Sequence, residues 1–469
     1  MRLYLTCLLV FTALGCRRLD PYYCESAPHH NCLALDGPKG CTIDHDCAAP
    51  TAVCDVGGTM TCVQCTTMEH DACMGTQPAC GDDHACRACT AHAECPTSLA
   101  CLPDGSCGTD ANVAYVDPAG TDNDVCSQAM PCTKVAKALA TGKPYVKFQG
   151  ATGTTDEAIT VKGGRQVTFL ADPGARLTRT QGNGAIVTVQ DSTTSLSVYD
   201  LTISNAPNTP TGIGCLIPTG ADAPTLSLTR VKLMNNPGGG ISASGGTVTV
   251  TGSTISNNQN GGVTASMTAL TVTQSTISGN QGVGITTSGG TLTVSRSEIS
   301  VNSGGGIQMN MDGAVTLTSN ILHHNGNSLT ASFGALSLRP AAGSAVQFNT
   351  IVDNSANSGA ASAGGVFCDV TGFVAADNLI FRNTGGTSLT TQTFGNCTYG
   401  NSFVAAGSSA VDNTPQFAHP NLPPLDYHLT SSTPTTIRDA AGACTGVDYD
   451  GDPRPFGTAC DLGADEYHP

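Results

Sequence analysis

The chain has 469 residues, a formal net charge of −16 and a charged fraction of only 12%. This acidic balance argues against nucleic acid or an anionic lipid surface as partner. There is no tryptophan, and the abundance of Thr, Ser, Asn and Gly suits flat surfaces that meet water or neutral glycans, although a repetitive β fold needs the same composition.

Met1 and Arg2 lead an apolar run from Leu3 to Leu14 that ends at Gly15 and Cys16. The run is too short to span a bilayer and has the shape of an export signal. Its end, Ala13-Leu14-Gly15-Cys16, resembles a bacterial lipobox, with Ala13 standing where Leu is usual. The resemblance implies that Cys16 becomes a lipid-modified N-terminus; the alternative is an ordinary cleaved signal that leaves a soluble secreted chain.

Fourteen cysteines lie between Cys24 and Cys107. A stretch of this composition has no large apolar core, so disulfides must hold it, and disulfides persist in oxidising compartments. After Cys24 and Cys32 the spacing divides into three four-cysteine units: Cys41, Cys47, Cys54, Cys62; then Cys65, Cys73, Cys80, Cys86; then Cys89, Cys95, Cys101, Cys107. The C-x-x-C pairs Cys62/Cys65 and Cys86/Cys89 match a zinc-ribbon spacing, but in an exported chain they read better as junctions between tandem units. Pairing within the region stays open.

From Thr225 onward the chain repeats itself. Segments of 22 residues begin at Thr225, Thr247 and Ala269, and a fourth follows at Thr291. Each carries an apolar anchor (Leu233, Ile255, Ile277, Ile299, then Leu322, Ile351 and Ile380), and three residues after each anchor stands an asparagine: Asn236, Asn258, Asn280, Asn302, Asn325, Asn354 and Asn383. Two residues before the later anchors come Ser253, Ser275, Ser297, Asn320, Asn349 and Asn378. Apolar residues alternate with Thr and Ser at a period of two, which predicts strands and not helices. A fixed period of this length marks a solenoid, and coils stacked at roughly 4.8 Å place the asparagines in a hydrogen-bonded ladder. The predicted class is all-β, a parallel β-helix solenoid of roughly ten coils preceded by a small disulfide-rich region.

Two flanking motifs carry a family resemblance. The first reads Tyr115-Val116-Asp117, Gly120, Asp122, Cys126-Ser127 and Pro131-Cys132, followed by a helical stretch from Thr133 to Thr141. The second reads Asp448-Tyr449-Asp450-Gly451-Asp452-Pro453-Arg454, then Asp461-Leu462-Gly463-Ala464-Asp465-Glu466-Tyr467. With the repeats between them, they resemble right-handed parallel β-helix proteins of the pectate-lyase-like superfamily, and the ending resembles that of bacterial choice-of-anchor β-helix surface proteins. The resemblance implies an N-terminal cap over the first coil, a bacterial surface location and a choice among lyase, hydrolase, adhesin and structural roles. The expected organisation is a lipoprotein signal at 1–15, a disulfide-rich stalk at 16–110, an N-terminal cap at 111–144, the parallel β-helix at 145–410 and a C-terminal cap at 411–469.

The remaining cysteines suggest pairs: Cys126 with Cys132 and Cys444 with Cys460 near the two ends, and Cys368 with Cys397 one coil apart. Cys215 is left over. With Cys16 lipidated it stays unpaired within the chain; otherwise Cys16 or another chain is available to it.

Between Thr247 and Ser295 there is no Asp, Glu, Lys, Arg or His, so the middle of the rod has no group for acid–base chemistry. Arg230-Val231-Lys232 resembles the Arg-x-Lys of polygalacturonases, but no Asp-Asp pair or Gly-His-Gly follows, and it reads as a surface pair. One polar column survives, two residues after the anchors: His324, Asp353 and Arg382, with His323 beside it. These are the catalytic candidates, able to bind an acidic sugar or serve as base and charge stabiliser, against the plainer reading of a solvated ion pair worth at most ~1 kcal/mol. On that plainer reading, alanine at both His324 and Asp353 leaves the fold unaffected. The longer insertions of these coils are expected to wall the column. Asp448, Asp450 and Asp452 alternate like the start of a Ca²⁺ loop but lack its distal Glu. A polar turn sealing the last coil is preferred there; Ca²⁺ is the only cofactor considered.

The sequence therefore favours a non-catalytic surface protein, a bacterial outer-membrane or cell-surface lipoprotein or otherwise an extracellular one. Polysaccharide or a cell-surface component is the expected partner and a lipid chain the expected membrane contact. The alternative is a polysaccharide lyase or glycoside hydrolase of the pectate-lyase-like superfamily.

Overall fold

A computed structural model describes residues 41–66, 73–150, 158–179, 181–206, 212–215, 224–359, 362–385, 392–405, 415–421, 423–442 and 444–469. The expected export signal, Cys16, Cys24 and Cys32 lie outside these residues. The chain divides into two compact units, residues up to 95 with 101–107, and residues 96–100 with 108–469.

In the first unit every described cysteine is paired, always first with third and second with fourth. The bonds are Cys41–Cys54 and Cys47–Cys62, Cys65–Cys80 and Cys73–Cys86, and Cys89–Cys101 and Cys95–Cys107. Zinc therefore has no thiolate at either C-x-x-C. Short antiparallel pairs, Val53–Cys54 with Cys62–Val63 and Ala79–Cys80 with Cys86–Arg87, and single 3-10 turns at Asp44–Asp46 and His92–Glu94 add backbone order. Cross-links stand in for the missing apolar core. The nine disulfides of the described chain belong to an oxidising, extracellular setting.

The second unit is a right-handed parallel β-helix. Each coil contributes strands to three faces. The shortest face holds ten described strands of two or three residues, from Arg176–Thr178 through Thr202–Ser204, Lys232–Met234 and Thr254–Ser256 to Leu379–Phe381 and Phe403–Val404. Register between coils is one-to-one: Ile203 pairs with Leu233, Leu233 with Ile255, Ile255 with Ile277 and Ile277 with Ile299. The other two faces merge into one sheet because strands such as Val263–Thr273 and Ile285–Ser295 run continuously around the bend between them. Val113–Val116, within the segment expected to act as a cap, pairs in parallel with Tyr145–Phe148 of this sheet. The helix beside it spans Val135–Ala140 and buries Val135, Ala138 and Leu139.

The core is a stack of inward Leu, Ile and Val, each burial contributing about 2 kcal/mol. Where the asparagine turn enters the next strand, backbones of adjacent coils nearly touch. A Cβ on Gly262 would lie 2.5 Å from the Gly284 carbonyl oxygen, which accounts for the recurring Gly before Ile or Val. All seven asparagines after the anchors are fully buried. Asn258 Nδ2 donates to Asn280 Oδ1 (2.9 Å), Asn280 to Asn302 (2.8 Å), and so on to Asn354 and Asn383 (2.9 Å), while each Oδ1 also accepts the backbone N–H of the previous rung. On the opposite side of the short face the backbone N–H groups of Ser253, Ser275 and Ser297 donate to the side-chain oxygen of the next rung, and Asn320, Asn349 and Asn378 add amide-to-amide bonds.

Two columns of left-handed residues bracket the short strands. On one side stand Arg230, Gln274, Arg296, Ser319, Phe348 and Asp377; on the other Asn235, Asn257, Val301, His324, Asp353 and Arg382, all with φ between 50° and 57°. A tight corner at each end of a three-residue strand requires them. This conformation favours Gly, Asn, Asp and His, which accounts for Asn235, Asn257, Gly279, His324 and Asp353 in the second column and leaves Val301 and Arg382 exceptional.

The described segment from residue 415 to the end lies along the flank, over the short face, and is not confined to a turn at the last coil. Phe417, Tyr427, Leu429, Ile437, Leu462 and Ala464 pack against Ile321, Phe348, Val352, Leu379 and Phe381 of the coils. The terminal motif organises it. Asp448, fully buried, accepts the N–H groups of Gly451, Asp452 and Glu466. Arg454 pairs with Glu466 at 3.0 Å, donates to the carbonyls of Asp461 and Gly463, and lies over the Phe348 ring. The disulfides Cys126–Cys132, Cys368–Cys397 and Cys444–Cys460 complete the unit, the second joining adjacent coils. The backbone of Cys215 ends the strand Ile213–Cys215, and its side chain lies outside the described residues.

Candidate functional site

The coils whose second-column residue is neither Asn nor Gly are those on which the C-terminal segment lands. Glu298 sits on the strand Glu298–Ser300, one coil before Ile321–His323, with Ser300 and His323 paired in register. The Glu298 Oε1 atom accepts from Ser300 Oγ (2.7 Å) and lies 3.1 Å from His323 Nε2. His323 Nδ1 is 3.1 Å from His324 Nδ1, so one of these nitrogens carries the shared proton and the other accepts it. Tyr427, brought in by the C-terminal segment, packs its ring on His323, donates its hydroxyl to Asp353 Oδ2 (3.0 Å) and lies 3.4 Å from His324 Nδ1. Arg382 closes the chain, donating to Asp353 Oδ2 (2.5 Å), Asn421 Oδ1 (2.8 Å) and the Pro420 carbonyl (3.3 Å).

The structure thus brings His324, Asp353 and Arg382 together, but not as a solvated pair. Arg382 retains 5% of its exposure and its Nε is buried without an acceptor. Among the described residues, Pro420, Asn421 and Leu425 of the C-terminal segment wall the column together with Thr384 of the coils, around a small depression of about 370 Å³. Left-handed backbone reverses the chain at each of the three positions, so they do not follow the in–out alternation of a strand.

Electrostatics follow from this packing. The hydrogen bond from His323 holds the Glu298 carboxyl below its ordinary range, against partial burial. Burial, reinforced by the neighbouring His323 and opposed by Asp353, lowers the His324 imidazole and favours its neutral form. Burial and the Asp353 charge raise the Tyr427 phenol, which stays protonated. On the far side His428 Nδ1 meets Asp426 Oδ1 (2.5 Å) and Nε2 meets Asp450 Oδ2 (2.8 Å). Burial opposes the charge on His428, but the Asp426 hydrogen bond and the charges of Asp465, Asp450 and Asp426 outweigh it and raise the imidazole.

Between the short face and the C-terminal segment lies an open cleft of about 720 Å³. Glu298, Ser300, Val301 and His323 form its floor; His419, Asp426, Tyr427, His428 and Tyr449 its wall. No Lys or Arg lines it among the described residues.

The three aspartates of the proposed Ca²⁺ loop do not converge. Asp450 faces His428 and Asp465, while Asp448 and Asp452 lie with His468. The oxygens of Asp448 accept three backbone N–H groups, and both His428 nitrogens are engaged by carboxylates. Arg230 pairs with Asp200 on the surface, remote in sequence from the cleft.

Sequence reasoning missed Glu298, Asp426, Tyr427, His428 and Tyr449. Glu298 had a signal, as the carboxylate that follows the uncharged coils in the outward column Thr254, Thr276, Glu298. The wall residues had none, because they arrive from more than 100 positions away in the chain, as Tyr427 does at His324.

Residues 212–365 match the family model described as a right handed beta helix region. No curated protein matches the chain. Among solved structures, the chain is similar to a pectate lyase (14% identity, TM-score 0.48, 76% of this chain and 96% of that one). A rhamnogalacturonan lyase (12%, 0.35, 66% and 91%) and the tailspike protein of Dettilon (14%, 0.33, 62% and 68%) are also similar. Likeness at this level says nothing of activity.

Proposed function

We propose that the chain is an exported, non-catalytic protein that binds glycan in the cleft between the short face and the C-terminal segment. One observation carries the reading: Glu298 and Asp426 at the cleft are each held by a histidine, and the polar column in the adjoining depression is bonded to itself. Asp353 accepts from both Arg382 and Tyr427, and Arg382 is spent on Asp353, Asn421 and Pro420. Hydrolysis of a glycoside takes one carboxyl kept protonated beside one ionised, whereas Glu298 and Asp426 are both lowered toward the ionised form. Elimination from a uronate needs a cation at the developing enolate, and the cleft lining holds no Lys or Arg and has both His428 nitrogens engaged by carboxylates. What it does offer is one half-buried ring, Tyr449, beside apolar Pro424 and Leu425 and polar groups, a make-up that suits a saccharide.

The cysteine-rich unit is proposed as a spacer and Cys16 as the point of lipid attachment. Polysaccharides incubated with the full chain should be retained without new reducing ends and without the absorbance of unsaturated uronates. Product release that Glu298→Gln abolishes would overturn the non-catalytic reading. Polysaccharide cleavage remains the second reading, favoured by the run of proton-sharing contacts from Glu298 through His323 to His324 beside the cleft.

A further inference from the structure

The cleft carries a charge preference that its fold does not impose. Glu298 makes both of its hydrogen bonds through Oε1, to His323 and Ser300. Asp426 makes both of its bonds through Oδ1, to the His428 backbone N–H and Nδ1. The second oxygen of each, Glu298 Oε2 and Asp426 Oδ2, has no hydrogen-bond partner among the described residues. Both side chains remain about one-third exposed, 32% and 36%, and both line the same cleft.

The histidines hold these carboxylates in place and keep them ionised without covering them. An ionised oxygen left open in a cleft without Lys or Arg attracts a donor that bears positive charge and repels a carboxylate. The half-buried Tyr449 ring and the apolar Pro424 and Leu425, which line the same cleft, offer the surface on which the C–H face of a sugar ring rests. A ligand that satisfies both features is a saccharide bearing a free, protonated amine.

We infer that the cleft selects amino sugars with an unsubstituted amine, the ammonium lying between Glu298 and Asp426, and discriminates against uronic acids. This rests on the glycan-binding reading above and narrows it to one sugar chemistry.

The test is calorimetric titration of the full chain with three oligosaccharides of equal length: β-1,4-linked glucosamine, its fully N-acetylated counterpart, and galacturonate. The expected result is binding of the glucosamine oligomer, a loss of at least about tenfold in affinity on N-acetylation, and no binding of the galacturonate. Glu298→Gln preserves the acceptor for Ser300 and His323, so the fold should survive. That variant, and Asp426→Asn as a second, should bind the glucosamine and N-acetylglucosamine oligomers alike. Equal affinity of the parent protein for the two oligomers, or a preference that persists in both variants, would overturn amine recognition and leave glycan binding standing. Binding of none of the three, together with none from a wider panel of neutral glycans, would overturn the glycan reading itself. Tighter binding of galacturonate would reverse the proposed charge preference.

Discussion

Arg382 and Asp353, on neighbouring coils, form an ion pair covered by the C-terminal segment: the guanidinium meets Asp353 Oδ2 at 2.5 Å, and their side chains retain 4% and 18% of their exposure. Removing one member strands a buried charge. Asp353→Ala should therefore cost about 3 kcal/mol in urea denaturation, far more than a surface pair would. The double change Asp353→Leu with Arg382→Met should recover most of that loss. A cost below about 1 kcal/mol for the single variant would restore the picture of a solvated pair.

The asparagine ladder makes a second prediction. The Asn280 side chain donates to Asn302 Oδ1 and to the Ile255 carbonyl, and accepts from the Asn258 backbone N–H and Nδ2. Alanine there leaves several fully buried polar groups without partners, at a cost on the order of 3 kcal/mol. Chemical denaturation measures it; an effect no larger than that of a surface Thr→Ala change would show that the ladder adds nothing to stability.

Stability should depend on pH through His428. Its folded-state pKa is raised, so its stabilisation is complete below the unfolded value, about 6.5, and is lost as pH rises through the folded value. Thermal midpoints of the parent protein should fall as pH rises above about 6.5, and His428→Gln should lack that fall. His324 acts in the opposite sense. Its lowered pKa gives a contribution present above about pH 6.5 and lost as pH drops through the folded value. Parallel alkaline limbs for parent and His428→Gln would refute the assignment.

Val301 is a β-branched residue held at φ 57°, where other coils carry Asn235, Asn257 or Gly279. It is half-exposed, so little packing is lost on replacement. Val301→Asn should stabilise the protein by about 1 kcal/mol. A lower melting temperature in the variant would mean that the Val301 side chain contributes more at the cleft than its backbone costs.

Much of the solenoid was legible because its physics is periodic. A residue that must turn a corner, fill the core or bond the next rung does so in every coil, and repetition separates it from composition. Leu177 and Ile203 occupy the same stack as Leu233, yet the irregular spacing before Thr225 hides them. The candidate site was legible only on its solenoid side. His324, Asp353 and Arg382 are aligned by the repeat, whereas Tyr427, His428 and Tyr449 come from a segment with no period, and pairs such as Arg296 with the Tyr449 carbonyl join residues 153 positions apart. The same missing segment explains why a buried pair read as a solvated one.

That segment also changes how the rod should come apart. Solenoid coils ordinarily hold only their neighbours, so they fray from an end, one after another. Here the final stretch bonds to Arg296, Ser319, Thr350, Asp377 and Asn401, one position in each of five successive coils. These rungs are lashed into one cooperative block, and amide exchange should protect residues 296–404 at a common level while the coils ahead of them exchange in graded steps.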